Sequence, residues 1–322
     1  MKKRALAFVL VLLILLLIPS CDELRSFFGD DPSSNGEDCT VKWAGIRFSQ
    51  YGIRRSFGQE NFPGPESTAG FMSKMASCYE GSTGASILIV GTISTRKDKA
   101  GSITSGKCSL AFPLSKQIEN ASGTEDDDFY EDYLTAMDAA GQAVWLQVEP
   151  GDASLVALAT EVMSRYSNHP CVKGFGIDVE WYQYRKSANA EEGTNSKVSD
   201  EMARQVLAAV RAINPDYTVF VKHWETDWLP SKMEGLIYVN DSQQFESMDQ
   251  VISEFRGWAA HYAPQPVMFQ IGYDADTWIW NKYPNPAKEF GQAIVDECKS
   301  GNDIGIIWVD FTLSKVINKT DK

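Results

Sequence analysis

The chain has 322 residues, with 43 acidic against 30 basic side chains and a net charge of -13. That balance argues against nucleic acid as a partner, because phosphate binding needs a basic patch. Three histidines and the absence of a C-x-x-C pair argue against a metal site built on histidine or cysteine, and with no G-x-S-x-G elbow and no cofactor motif the sequence reads as neither an α/β-hydrolase nor a cofactor enzyme.

In chain order, the first element is Met1-Lys2-Lys3-Arg4, a basic start, followed by an apolar run over 5–17 that closes at Ile18-Pro19-Ser20-Cys21. This is the layout of a secretory signal. It resembles a bacterial lipoprotein signal, and the resemblance implies that Cys21 is lipidated. The chain would then be extracytoplasmic and anchored to the cell membrane through that lipid. A retained N-terminal helix is the alternative, since the run is close to the lower limit for spanning. Residues 1–21 are thus the expected signal. Residues 22–40, rich in Asp, Glu, Ser, Gly and Pro, read as a flexible acidic tether. Residues 41–322 remain for one domain. Five cysteines follow Cys21. An odd count leaves at least one unpaired within the chain, and Cys78 with Cys108 is the expected pair.

Short apolar runs predict strands over 42–50, 86–93, 143–149, 172–181, 218–224, 235–240, 267–273 and 304–311. Helix-period segments fall between most of them, over 126–140, 153–167, 199–213, 248–262 and 286–300. Ser199 suits an N-cap and Pro286 a first helical turn. Eight strands alternating with helices predict a (β/α)8 TIM barrel, α/β in class. The alternative, an open doubly wound sheet, would need a Gly-rich phosphate loop. Gly174-Phe175-Gly176 lies instead within a predicted strand.

Catalytic residues of such a barrel stand at the C-terminal ends of its strands. The third strand ends with Gln147 and Glu149, and the fourth with Asp178 and Glu180. The fifth runs into His223, Trp224 and Glu225, and the sixth ends at Asn240 and Asp241. The seventh supplies Gln270, Tyr273 and Asp274, and the eighth Trp308 and Asp310. Acids, amides and aromatic rings at one rim suit a sugar, whose hydroxyls take polar groups and whose ring stacks on aromatic faces. Asp178 and Glu180, two apart in a strand, share one face, with Gly176 leaving room beneath them. Paired acids split their pKa values, so that one stays protonated while the other stays charged. The competing reading is a structural ion pair with Arg47 or Lys222. His223 and Glu225 could ligate a metal, but a hydrogen-bonding role at the rim fits better. Trp145, Trp224, Trp228, Trp278 and Trp280 are either sugar platforms or packing. The polar stretch 186–197 is either a lid or disordered.

The segment "GFGIDVEWYQY" resembles the glycoside hydrolases of family 18, whose fourth strand ends in D-x-x-D-x-D-x-E with the Glu as acid. Here the window is Lys173, Gly176, Asp178 and Glu180, so the last Asp and the Glu match and the first two Asps are replaced. The resemblance implies Glu180 as general acid, Asp178 holding a substrate acetamido group, Trp308 flooring the sugar site and Tyr273-Asp274 as the tyrosine–acid pair. Shifting the window by two residues puts Tyr182 at the acid position and implies an inert barrel. A second resemblance is to the family 25 muramidases. "GIRFSQYG" (45–52) is similar to their opening strand, with Arg47 in place of the Asp, while "IDVEW" and "IIWVDFT" are similar to their middle and closing strands. Both resemblances cover a few strand ends. They imply a membrane-tethered glycoside hydrolase acting on a polysaccharide or a peptidoglycan-like glycan, or a carbohydrate-binding lipoprotein whose barrel has lost turnover. If the substrate lacks an acetamido group, Glu149, Glu225 or Asp274 would serve as second carboxylate. No cofactor is expected.

Overall fold

The computed structural model describes residues 37–320. The signal segment, Cys21 and the tether as far as residue 36 lie outside the described residues. Apolar runs buried on both faces form the strands, as parallel sheets require. β1 is Thr40–Phe48, β2 Thr83–Lys97, β3 Ile103–Leu110, β4 Ala121–Ser122, β5 Ala143–Val148, β6 Val172–Asp178, β7 Thr218–Lys222, β8 Leu236–Asn240, β9 Val267–Ile271 and β10 Asp303–Trp308. The order is β1-β10-β9-β8-β7-β6-β5-β2, with β1 also pairing β2, so eight strands close on themselves. All pairings around this ring are parallel. The fold is a (β/α)8 barrel, and each predicted strand overlaps one of its eight.

The helices are α1 Gln50–Phe57, α2 Pro65–Ala76, α3 Glu131–Ala139, α4 Leu155–Arg165, α5 Asp200–Arg211, α6 Met248–Tyr262, α7 Thr277–Trp280, α8 Pro286–Val295 and α9 Leu313–Val316. Their starts are set by local chemistry. Ser49, Ser154, Ser199 and Ser247 each accept a backbone N–H of the first turn, and Asn285 does so for α8. α3 begins later than the expected 126. The Asp128 carboxylate instead accepts from Tyr130 N–H at 3.1 Å and from Tyr166 OH at 2.8 Å, which holds the preceding turn out of the helix.

Two departures bear on the mouth of the barrel. β2 runs beyond the ring and pairs antiparallel with β3, a hairpin not foreseen because its distal half is polar and exposed. The stretch 186–197 is tied to that hairpin: Ile103 and Lys186 exchange backbone hydrogen bonds of 2.7 and 3.2 Å. The expected Cys78–Cys108 disulfide is not formed. Cys78 turns back along its helix, its thiol donating to Lys74 O at 3.6 Å, while Cys108 is buried in β3.

Candidate active site

Strand alternation divides the barrel interior into layers. Ala85, Ile87, Trp145, Phe220, Ile237, Val239, Met268 and Ile307 form an inner apolar core. Two residues further along β5, β7, β8 and β9, the same face presents Gln147, Lys222, Asp241 and Gln270, all buried. β6 presents Asp178 in this layer above Gly176. The room beside Gly176 is filled: a Cβ there would overlap the Phe220 ring, so the glycine lets an aromatic side chain into the interior. β6 ends at Asp178, and Glu180 lies in the 3-10 turn Val179–Trp181, not in the strand as expected.

Register decides which charges meet. Asp178 is the parallel partner of Lys222, and the Lys222 ammonium lies 3.1 Å from Asp178 Oδ1 and bonds Asp241 Oδ2. Gln147 Nε2 donates to Asp178 Oδ2 at 3.1 Å. Burial pushes the Asp178 carboxyl well up, and Lys222, shared with Asp241, counters this only in part. Burial works against the Lys222 charge as well, but the two aspartates hold it protonated. Across the mouth, Arg47 donates to Asp310 Oδ1 from Nε at 3.0 Å and from Nη2 at 2.5 Å. Ser49 N–H and Oγ–H take Asp310 Oδ2, each at 2.7 Å. Both carboxylate oxygens of Asp310 are therefore engaged within the chain.

Glu180 differs from these acids. Among the described residues its carboxyl makes no hydrogen bond and no ion pair. It is partly exposed, and burial pushes its pKa up to about 7, against the pull of Lys222 and with a further push from Asp241 and Glu149. Glu149 is also raised by burial, while its Oε2 accepts from Ile93 N–H at 2.8 Å. A groove of about 490 Å³ is walled by Ile93, Thr95, Tyr184 and Trp181, the residue that follows Glu180. The Trp181 and Tyr184 rings meet with centroids 4.9 Å apart.

His223 is buried and stacks on Trp224, with centroids 4.1 Å apart. Its Nδ1 accepts from Glu225 N–H at 2.9 Å, and burial lowers its pKa to about 4. The ring is thus neutral with its proton on Nε2, a buried donor without a partner. Gln147 Oε1, Asp241 Oδ1 and Gln270 Nε2 are likewise without a hydrogen-bond partner. Unpaired buried polar atoms cost about 1–3 kcal/mol each. Their concentration in one layer makes this end of the barrel suited to a ligand with many hydroxyls.

The other expected site residues are placed as follows. Trp224 is 42% exposed beside His223. Glu225 is exposed and accepts from Trp228 Nε1–H at 2.7 Å. The Tyr273 hydroxyl donates to Gln270 Oε1 at 3.3 Å, within the buried layer. Asp274 is drawn away, held by Arg55 at 2.7 Å and Lys315 at 2.8 Å. Trp308 is 1% exposed and packs on the outer side against Trp280, while its neighbour Ile307 faces the interior. Trp280 and Trp145 are buried, and Trp278 is 50% exposed. The sequence placed Asp241 at the rim without a role and offered Arg47 and Lys222 only as partners of a competing ion pair. The signal for Lys222 and Asp241 was a charged residue two positions beyond an interior apolar one, Phe220 and Val239.

No protein-family model matches the chain, and no curated protein sequence matches it significantly. Among solved structures it is similar to a β-1,4-D-mannanase from Cryptopygus antarcticus, at 10% identity and a TM-score of 0.45 over 88% of this chain and 93% of that one. It is similar to a family 29 α-L-fucosidase from Bacteroides thetaiotaomicron, at 11% identity and a TM-score of 0.41 over 90% and 75%. A Prevotella bryantii endo-β-mannanase/endo-β-glucanase gives 11% identity and a TM-score of 0.43 over 86% of this chain and 48% of that one. Likenesses this distant carry no argument about activity. The fold rests on the closed strand order and the chemistry on the residues of the mouth.

Proposed function

We propose that the barrel mouth is the active site of a glycoside hydrolase acting on a polysaccharide, with Glu180 as general acid assisted by Asp178. The observation that carries this reading is the state of Glu180: no cation claims its carboxyl, and burial keeps it protonated up to about pH 7. In that state it can protonate the oxygen of the leaving sugar. Asp178, fixed by Gln147 and Lys222, would orient the substrate. With an N-acetylated sugar it would hold the acetamido group that attacks the anomeric carbon, so that no protein nucleophile is needed. With other sugars Glu149 is the second carboxylate. The donor Nε2–H of His223 and the exposed face of Trp224 suit a sugar hydroxyl and a sugar ring. The proposal includes attachment to the cell membrane through a lipid on Cys21, on the strength of the signal-like N-terminus.

A second reading, a carbohydrate-binding protein without turnover, is favoured by one feature. Lys222 sits between Asp178 and Asp241 and ties up the layer beneath Glu180. A panel of β-linked glycans, peptidoglycan included, separates the two. Release of reducing ends by wild type and its loss in Glu180→Gln supports hydrolysis. Saturable binding with no release by wild type would sink it.

A further inference from the structure

Of the cysteines among the described residues, Cys39 and Cys298 are brought together from opposite ends of the chain. Cys39 leads into β1 and Cys298 lies just before β10, the strands paired from Thr40 with Asp303 onward. Cys39 N–H donates to Cys298 O at 3.4 Å, which sets the two backbones side by side. Residues joined by a backbone hydrogen bond have Cα atoms at a separation that a disulfide can span. Cys39 is half-buried, so a reagent can approach it. Its Sγ also lies 3.7 Å from Ser300 Oγ and 3.9 Å from Asn302 Oδ1. Cys298 is buried behind it, its thiol donating to Ile294 O at 3.4 Å. Cys78 and Cys171 instead donate to carbonyls of their own surroundings, Lys74 O and Leu134 O.

We infer that Cys39 and Cys298 are a redox pair that closes to an intramolecular disulfide by exchange with an external disulfide such as oxidised glutathione. The Cys39 thiolate attacks one sulfur of the oxidant, forming a mixed disulfide and expelling one glutathione thiolate. Cys298 then loses its proton to solvent and attacks Cys39 Sγ. The Cys39–glutathione bond breaks, the protein disulfide forms, and the second glutathione thiolate leaves. Two electrons pass from the cysteines to the oxidant, which becomes two thiols. The order of attack follows from the environment. The neighbouring Cys298, with Ser300 and Asn302, holds the Cys39 pKa down to about 5, while Cys39 and burial push Cys298 up. The product would staple the first barrel strand to the last at the end opposite the mouth. It would enclose nearly all of the described chain, the loop length at which a cross-link restricts the unfolded state most.

The test uses the reduced full chain, incubated with oxidised glutathione, alkylated in denaturant and digested without reductant. The expected result is one linked peptide pair containing Cys39 and Cys298, with Cys78, Cys108 and Cys171 alkylated. Oxidation should also raise the thermal midpoint by several degrees, reversibly on adding dithiothreitol. Cys39→Ser should abolish that redox dependence. Cys298→Ala should instead accumulate glutathione on Cys39. Full alkylation of both cysteines in oxidised wild type, or linkage of Cys39 to any other cysteine, would overturn the inference. If Cys298→Ala fails to fold, the wild-type peptide map decides alone.

Discussion

The two ends of the barrel are made by the same strands and treat charge in opposite ways. At the N-terminal end, Trp43 and Trp145 meet edge to face with centroids 5.1 Å apart, and Trp145 Nε1–H is satisfied by Thr218 Oγ1 at 2.9 Å. A cavity of about 500 Å³ opens there, with Lys42, Lys173, Asp216 and Glu234 exposed at its rim. Lys42 meets Asp303 at 2.6 Å, and Lys173 donates to Pro170 O at 2.8 Å. At the C-terminal end the charges are buried, one lysine serves two aspartates, and several polar atoms have no partner. Both ends are rich in aromatic and charged groups, so composition does not distinguish them. Desolvation does. Only the C-terminal end carries the cost of buried, imperfectly matched charge, and perturbed carboxyls of that kind cluster where chemistry is done.

The strongest way to break this comparison is to remove the shared cation. Lys222→Met would leave Asp178 and Asp241 buried without their counter-charge. It should cost about 3–5 kcal/mol of stability, measured by urea unfolding. A cost below about 1 kcal/mol would mean that the layer is wetter and looser than its burial implies.

Next in size is Glu180→Gln. On any glycan that the wild type cleaves, it should lower kcat by a factor on the order of 100 or more while leaving binding largely intact. Cleavage at the wild-type rate would move the acid elsewhere, and Glu149 would be the first candidate, since Asp274 is held by two cations.

The raised pKa of Glu180 sharpens the comparison through pH. As general acid it must be protonated, so kcat should fall as pH rises through about 7. The same shift acts on stability. Between pH 4.5, where an ordinary glutamate ionises, and about 7, the unfolded chain has lost this proton while the folded chain keeps it. The contribution of Glu180 to stability therefore declines with rising pH across that window and is level above it. Glu180→Gln should gain on wild type by up to about 2 kcal/mol between the two limits, a figure lowered for partial exposure. Parallel stability–pH curves for the two proteins would show that Glu180 titrates normally.

The smallest effect belongs to the other end. Lys42→Met removes an exposed pair with Asp303 and should cost less than about 1 kcal/mol, fading in salt. A loss matching that of Lys222→Met would erase the distinction between the two ends.

Much of the barrel was legible residue by residue. Ala143 to Val148 could be read as a strand because all six residues are buried apolar or interior-facing, and Ser199 as a helix start because its side chain caps the Met202 N–H. The β2–β3 hairpin was not legible, since its exposed half has no apolar period and is held only by pairing with another segment. In the site, the Asp178–Glu180 spacing was visible, but not that the strand stops between them and turns Glu180 into a different environment. Trp308 was readable as the end of a strand. Its side, outer and not interior, follows from the neighbour Ile307 facing the barrel core.

The alternation of strands and helices, the helix caps and the gathering of polar residues at the ends of strands were determined by the sequence alone, because they depend on neighbours within a few residues. Which acid is free and which is bound was decided by tertiary structure. Asp178 meets Lys222 through the register of β6 on β7, and Asp241 joins them from β8. Asp310 is taken by Arg47 from the first strand. Glu180 is left with its proton because closing the barrel withdraws solvent from it without bringing a cation into contact with it, and the pull of Lys222 from a distance does not make up the loss. Coulombic pairing and desolvation act through space, over side chains that the sequence keeps far apart.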